Sequence, residues 1–140
     1  MLLKEEMALA RDNLKEDEGF RSKPYKCTAG RLTVGYGTNL DVGISQAQAE
    51  AIMVYEVERL FTMLASNLKF FNRLKPKQRV GLVNMAYQLG LNGLLGFKKA
   101  LAALEQGSLK KAEVEFYDSK WAKSDSPARA KRVIKQICKV

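Results

Sequence analysis

The sequence predicts an α+β fold, and three observations carry that reading. Apolar residues recur at helical spacing in residues 3–17 and again through most of the chain after residue 45. Between these stretches, Tyr25 to Leu40 holds the β-favouring run Leu32-Thr33-Val34 among Gly30, Gly35 and Gly37. Cap and turn residues stand where one pattern gives way to the next.

Residues 3–17 form an amphipathic helix in this reading, with Leu3, Met7 and Leu14 near one face, and Gly19 ends it just after Glu18. Thr28-Ala29-Gly30 makes a turn into Leu32-Thr33-Val34, and Gly35-Tyr36-Gly37 bends the chain again, giving a small sheet of two or three strands. Alternating glycines weaken a strand but let a backbone approach another group closely.

Ser45 opens the next helix, with Gln48 at the capping-box position. Ile52, Leu60, Leu64 and Leu68 continue it towards Phe71, a run long enough to join two lobes. Pro76 suits the first turn of a helix that ends at Gly90. Residues 97–105, 109–121 and 127–138 read as further helices, divided at Gly107 and at Ser124-Asp125-Ser126-Pro127. Val114, Tyr117 and Trp121 align on one of them, and Trp121 is assigned to core packing. Cys138, beside Val133, Ile134 and Ile137, is assigned a structural place.

A chain of 140 residues suits one domain and can bury a core without a metal or a disulfide framework. Hydrophobic residues at 46% and charged residues at 28% argue for an ordered globular chain. The absence of histidine excludes histidine-dependent catalysis, and with only two cysteines it argues against a zinc site. An acid catalyst at neutral pH is then a carboxyl group.

The net charge of +9 is uneven: residues 72–140 hold 15 basic and 5 acidic side chains. That half attracts a polyanion, whether nucleic acid, an anionic membrane or an acidic wall polymer. Lysine and arginine are spread over several helices, with no dense stripe interleaved with aromatics and no nucleic-acid motif. The charged N-terminus shows no signal peptide. Val80–Phe97 is uncharged, but Asn84, Gln88, Asn92 and its glycines suit a buried helix and turn better than a membrane span.

The spacing Glu18-x8-Cys27-x5-Thr33 can set a proton donor across from two small groups able to hold a water. The runs Asp17-Glu18-Gly19-Phe20-Arg21, Tyr25-Lys26-Cys27-Thr28 and Thr33-Val34-Gly35-Tyr36-Gly37 resemble the active-site segment of the phage-type lysozymes, the muramidase endolysins that include the T-even phage lysozyme. Asn84-Met85-Ala86-Tyr87-Gln88-Leu89-Gly90, Gly96-Phe97, Ser119-Lys120-Trp121 and Pro127 to Ile134 resemble that family's later elements. The matches run in the family's order from about residue 14 to residue 135, with Leu40 to Arg73 carried by pattern alone.

The resemblance implies a single lysozyme domain. A hairpin lobe at about 20–60 and a helical lobe of 1–19 and 61–140 would flank a cleft. It implies cleavage of peptidoglycan between N-acetylmuramic acid and N-acetylglucosamine by a monomer that needs no cofactor or metal. Glu18 matches the general acid and Thr33 the residue that positions the water. Gln88 and Tyr87 match positions near the saccharide, and Arg129 matches an arginine that orients the acid. Cys27 falls where the best-known members have aspartate. A thiolate there could replace a carboxylate, with Arg21, Lys26 or Arg31 available to favour it, whereas a thiol could only orient water. Inverting and retaining outcomes both stay open.

As an endolysin the chain would stay in the host cytoplasm until a separate pore released it to the wall. A lysozyme-like binder that grips the wall without cutting it is the alternative that Cys27 keeps open. A mainly nucleic-acid or membrane-active role is the third.

Overall fold

The computed structural model describes residues 3–140. The chain forms two compact units, Met1–Glu50 and Ala51–Val140. The first holds helix α1 (Lys4–Glu18) and an antiparallel sheet of β1 (Arg21–Lys26), β2 (Leu32–Gly35) and β3 (Thr38–Asn39) in that order. Helix α2 (Gln46–Asn67) begins there and continues into the second unit. The fold is α+β, as the sequence predicts.

In the first unit Tyr25 pairs with Thr33, Lys26 with Leu32, and Thr33 with Asn39. β1 starts at Arg21, earlier than the residue pattern suggests, because Arg-Ser-Lys-Pro-Tyr-Lys carries no apolar alternation. Pro24 lacks an N–H, and it lies on this edge strand where the register shifts between Arg21 and Tyr25. Leu3, just before α1, and Met7 and Leu14 on it are exposed, and α1 buries none of its residues. The helix itself is where the periodicity puts it.

Ser45 and Gln48 form the expected capping box: the Gln48 amide donates to Ser45 Oγ at 3.1 Å, and the Ser45 amide to Gln48 Oε1 at 2.8 Å. Of the apolar positions along α2, Leu60 and Leu64 are fully buried, while Ile52 is exposed.

The second unit carries a 3₁₀ turn (Phe71–Arg73) and helices α3 (Pro76–Leu89), α4 (Leu91–Leu95), α5 (Lys98–Glu105), α6 (Leu109–Tyr117) and α7 (Pro127–Cys138). A π-helical turn (Trp121–Asp125) precedes α7. Leu60, Leu64, Leu82, Met85, Phe116, Ile134 and Ile137 anchor one hydrophobic core. Val80–Phe97, considered above for a membrane span, is the later part of α3, then Gly90, α4 and the turn to Phe97. Among the described residues no helix is long and apolar enough to cross a membrane.

Buried Gln78 ties two helix ends together. Its Oε1 accepts from the Lys75 amide at 2.9 Å, and its Nε2 donates to the Ile137 carbonyl at 3.0 Å. An orphan donor at the start of α3 and an orphan acceptor near the end of α7 are thereby satisfied.

Gly81 allows α3 to approach α7: a Cβ there would lie 2.5 Å from Ile137 Cγ1. Gly81→Ala gains about 1 kcal/mol of helix propensity, but overpacking a rigid core costs about 1–3 kcal/mol. The expected result is a net loss of stability in urea denaturation. Combining it with Ile137→Ala should cost less than the two single losses added together, because the second change vacates the space the first one needs.

The continuous helix expected over residues 109–121 ends instead at Tyr117. Asp118 leaves helical geometry at φ −82°, ψ 58°. Val114 and Tyr117 are therefore exposed, while Trp121, on the π-helical turn, is 3% exposed. Its ring meets Phe97 edge to face at 6.0 Å, which places it in the core as expected. Cys138 is buried and free.

Candidate active site

Glu18 is the last residue of α1, and Gly19 at φ 68° turns the chain directly into β1. The Glu18 side chain lies against the turn between β2 and β3: a Cβ on Gly37 would sit 2.7 Å from Glu18 Oε2. Gly37 has φ 79°, so glycine is required there twice over, by backbone geometry and by space. Phe20 and Tyr36 rest ring against ring at 5.5 Å nearby, with Lys15 Nζ 6.0 Å from the Tyr36 ring centre. Glu18 itself is exposed.

Cys27 and Thr33 are brought together at the other end of β2. The Cys27 amide donates to the Arg31 carbonyl at 2.9 Å, and the Gly30 amide donates to the Cys27 carbonyl at 2.8 Å, closing a tight loop. Gly30 takes the positive φ of 76° that this loop needs. The loop leaves the Cys27 side chain half-buried. The Arg31 amide first and the Ala29 amide second hold the thiol below its ordinary value; partial burial opposes them, and the Thr33 hydroxyl and the Arg31 charge add to them.

Arg31 is thus the cation that acts on Cys27, and it does so more through its backbone than through its charge. Arg21 instead lies over the Tyr25 ring at 4.4 Å.

Thr33 is 5% exposed, and its Oγ1 donates to the Arg31 carbonyl at 2.9 Å. A hydroxyl has one proton, so it serves that carbonyl or a Cys27 thiolate, not both. Asp41, which the sequence reading did not single out, supports the same strand. Its carboxylate accepts from the Leu32 amide at 3.0 Å, and its own amide donates to Asn39 Oδ1 at 2.9 Å. The local signal was Asn39-Leu40-Asp41, two short polar side chains just past the glycine pair, a usual turn pattern.

Three other candidate residues belong to the second unit. Gln88 Nε2 donates to Ser126 Oγ at 2.7 Å, and Gln88 Oε1 accepts from Trp121 Nε1 at 3.0 Å. One N–H and one lone pair of the amide remain for another partner. Arg129 Nε donates to Asn84 Oδ1 at 3.0 Å, so Asn84 fixes the guanidinium, a role the sequence did not reveal. Tyr87 is half exposed; with Arg129, Met53, Val57 and Phe61 it lines a hollow of about 450 Å³.

Residues 15–136 match the phage lysozyme family. The chain belongs to that family. An endolysin of Acyrthosiphon pisum secondary endosymbiont phage 1 is 32% identical over 115 residues, covering 79% of this chain and 75% of that one. Probable T4-type lysozyme 2 of Dictyostelium discoideum is 27% identical, covering 89% and 90% of the two chains. Probable T4-type lysozyme 1 of the same organism is 26% identical, covering 91% and 92%. Membership of the phage lysozymes supports peptidoglycan hydrolysis as the general activity.

Proposed function

We propose that this phage lysozyme is a muramidase, cleaving the β-1,4 bond between N-acetylmuramic acid and N-acetylglucosamine with Glu18 as general acid. The Glu18 carboxyl gives its proton to the glycosidic oxygen, which leaves with the bonding electron pair. Positive charge then develops on the anomeric carbon, and a water or its equivalent adds there. Cys27 and Thr33 hold or activate that group, with the proton lost from water passing to the thiolate or to solvent. Gln88, Tyr87 and Arg129 bind or orient the saccharide and the acid.

The observation that carries this reading is the Cys27 cradle. The Cys27–Arg31 loop, closed by backbone hydrogen bonds of 2.9 and 2.8 Å, holds the thiol below its ordinary value through the Arg31 and then the Ala29 amide, which favours the thiolate and suits a base or water-holding group. A small side chain that merely filled space would need none of these donors. The reading places the chain's action at the bacterial wall, after its release from the producing cell.

Purified peptidoglycan provides the test. Incubation with the protein should release fragments whose new reducing ends are N-acetylmuramic acid, identified by borohydride reduction and mass spectrometry. Reducing ends of N-acetylglucosamine would assign a different bond. Wall binding with no new reducing ends would make the chain a wall binder, the reading favoured by a thiol that never reaches its charged form.

A further inference from the structure

Although basic residues are scattered in the sequence, folding gathers several of them. Lys77, Arg132, Lys135, Gln136 and Lys139 line a single hollow of about 420 Å³ on the helical unit. Gln136 Nε2 donates to the Lys77 carbonyl at 3.1 Å and fixes the start of α3 against α7. Among the described residues Lys77, Arg132 and Lys135 form no ion pair, while Lys139 meets Glu113 at 3.3 Å. No carboxylate lines the hollow.

Helix stability explains only part of this cluster. Lys135 and Lys139 suit the negative end of α7. Lys77, however, is the second residue of α3, where the helix dipole disfavours a cation. Lys77, Arg132 and Lys135, held together with no carboxylate paired to any of them among the described residues, also repel one another. An anion shared among them relieves both costs.

We infer that this hollow binds the phosphate groups of a phosphodiester-linked polymer attached to the bacterial wall, as a second site that retains the enzyme on its substrate. The inference rests on the muramidase reading for the choice of wall over other polyanions, and on the hollow's composition for phosphate. A phosphate oxygen cluster can be shared by several ammonium groups and the planar fork of Arg132 at once. Aromatic rings are absent from the lining, so bases have no stacking platform. The apolar face of α7, with Val133, Ile134 and Ile137 at 3% exposure or less, is committed to the core, so the folded helix has no wedge to insert into a bilayer.

The test uses the Glu18→Gln protein, so that walls are not consumed, and sedimentation with walls that carry a phosphodiester polymer or have been stripped of it by cold hydrofluoric acid. Lys77→Gln/Arg132→Gln/Lys135→Gln should weaken binding to untreated walls about tenfold at low salt and flatten its salt dependence. Binding to stripped walls should not change. A control of equal charge, Lys98→Gln/Lys110→Gln/Lys111→Gln, should lose much less.

Equal losses in the two triple variants would reduce the hollow to bulk charge and overturn the site. Undiminished binding by the first variant would do the same, and a larger loss on duplex DNA or phosphatidylglycerol vesicles than on walls would assign another polyanion. If circular dichroism shows the triple variant unfolded, Lys77→Gln and Arg132→Gln are read singly on the same scale. Binding is measured without cleavage, so failure of the muramidase reading would show in the reducing-end assay and not here.

Discussion

Glu18→Gln is expected to abolish wall lysis while leaving helical content and melting temperature unchanged. Glutamine keeps the shape of the side chain but has no acidic proton to give. Loss of a positioned general acid costs about 10²–10⁴ in rate. Glu18 is exposed, so its replacement should leave the core untouched. Turbidity loss of outer-membrane-stripped bacteria, beside a thermal melt, checks both halves of the expectation. Gly37→Ala is the companion variant. Its new methyl group would meet Glu18 Oε2 at 2.7 Å on a backbone held at φ 79°, displacing the carboxyl without altering its chemistry. Lysis by Glu18→Gln at the unmodified rate would remove Glu18 from the mechanism.

Cys27→Ser should lower activity by at least about tenfold, whereas Cys27→Asp should retain much of it. Serine keeps the size but stays un-ionised, and aspartate supplies a charge that the Arg31 and Ala29 amides can still stabilise. If Cys27→Ser matches the unmodified protein, the thiol is only a side chain that fits.

Alkylation gives an independent measure. The Cys27 thiolate is favoured below a thiol's ordinary range, while burial and then the Glu113 charge push Cys138 up to about 11. Iodoacetamide should therefore modify Cys27 first, with a pH midpoint below that of a free thiol, and Cys138→Ala should leave this profile unchanged. Cys138 also links stability to pH. Its ordinary value of 9.0 applies when unfolded and about 11 when folded, so the unfolded chain ionises first and stability falls between those pH values.

Elements governed by near neighbours could be read from the sequence. Pro76 at the start of α3, Gly90 after its end and the Ser45–Gln48 capping box each act within one helical turn. The turn at Gly30 is equally local. β1 was less legible, because its polar residues become a strand only through pairing with β2. The end of α6 was missed for a related reason. Val114, Tyr117 and Trp121 have helical spacing, but the burial of Trp121 against Phe97 accompanies a π-helical turn that no periodicity encodes.

At the candidate site, the residue types and their spacing were already visible: a carboxyl at a helix end, then a thiol and a hydroxyl bracketing a turn. The family resemblance followed from those same residues. Only the tertiary structure disclosed Asp41 beneath β2 with its carboxylate on the Leu32 amide, Asn84 holding Arg129, and the cations gathered from α3 and α7 around one hollow. Backbone donors have no letter of their own in a sequence, and contacts between residues 45 or 59 positions apart exist only once the helices pack. The chain's order of residues thus determined which groups are available, and packing decided which of them meet.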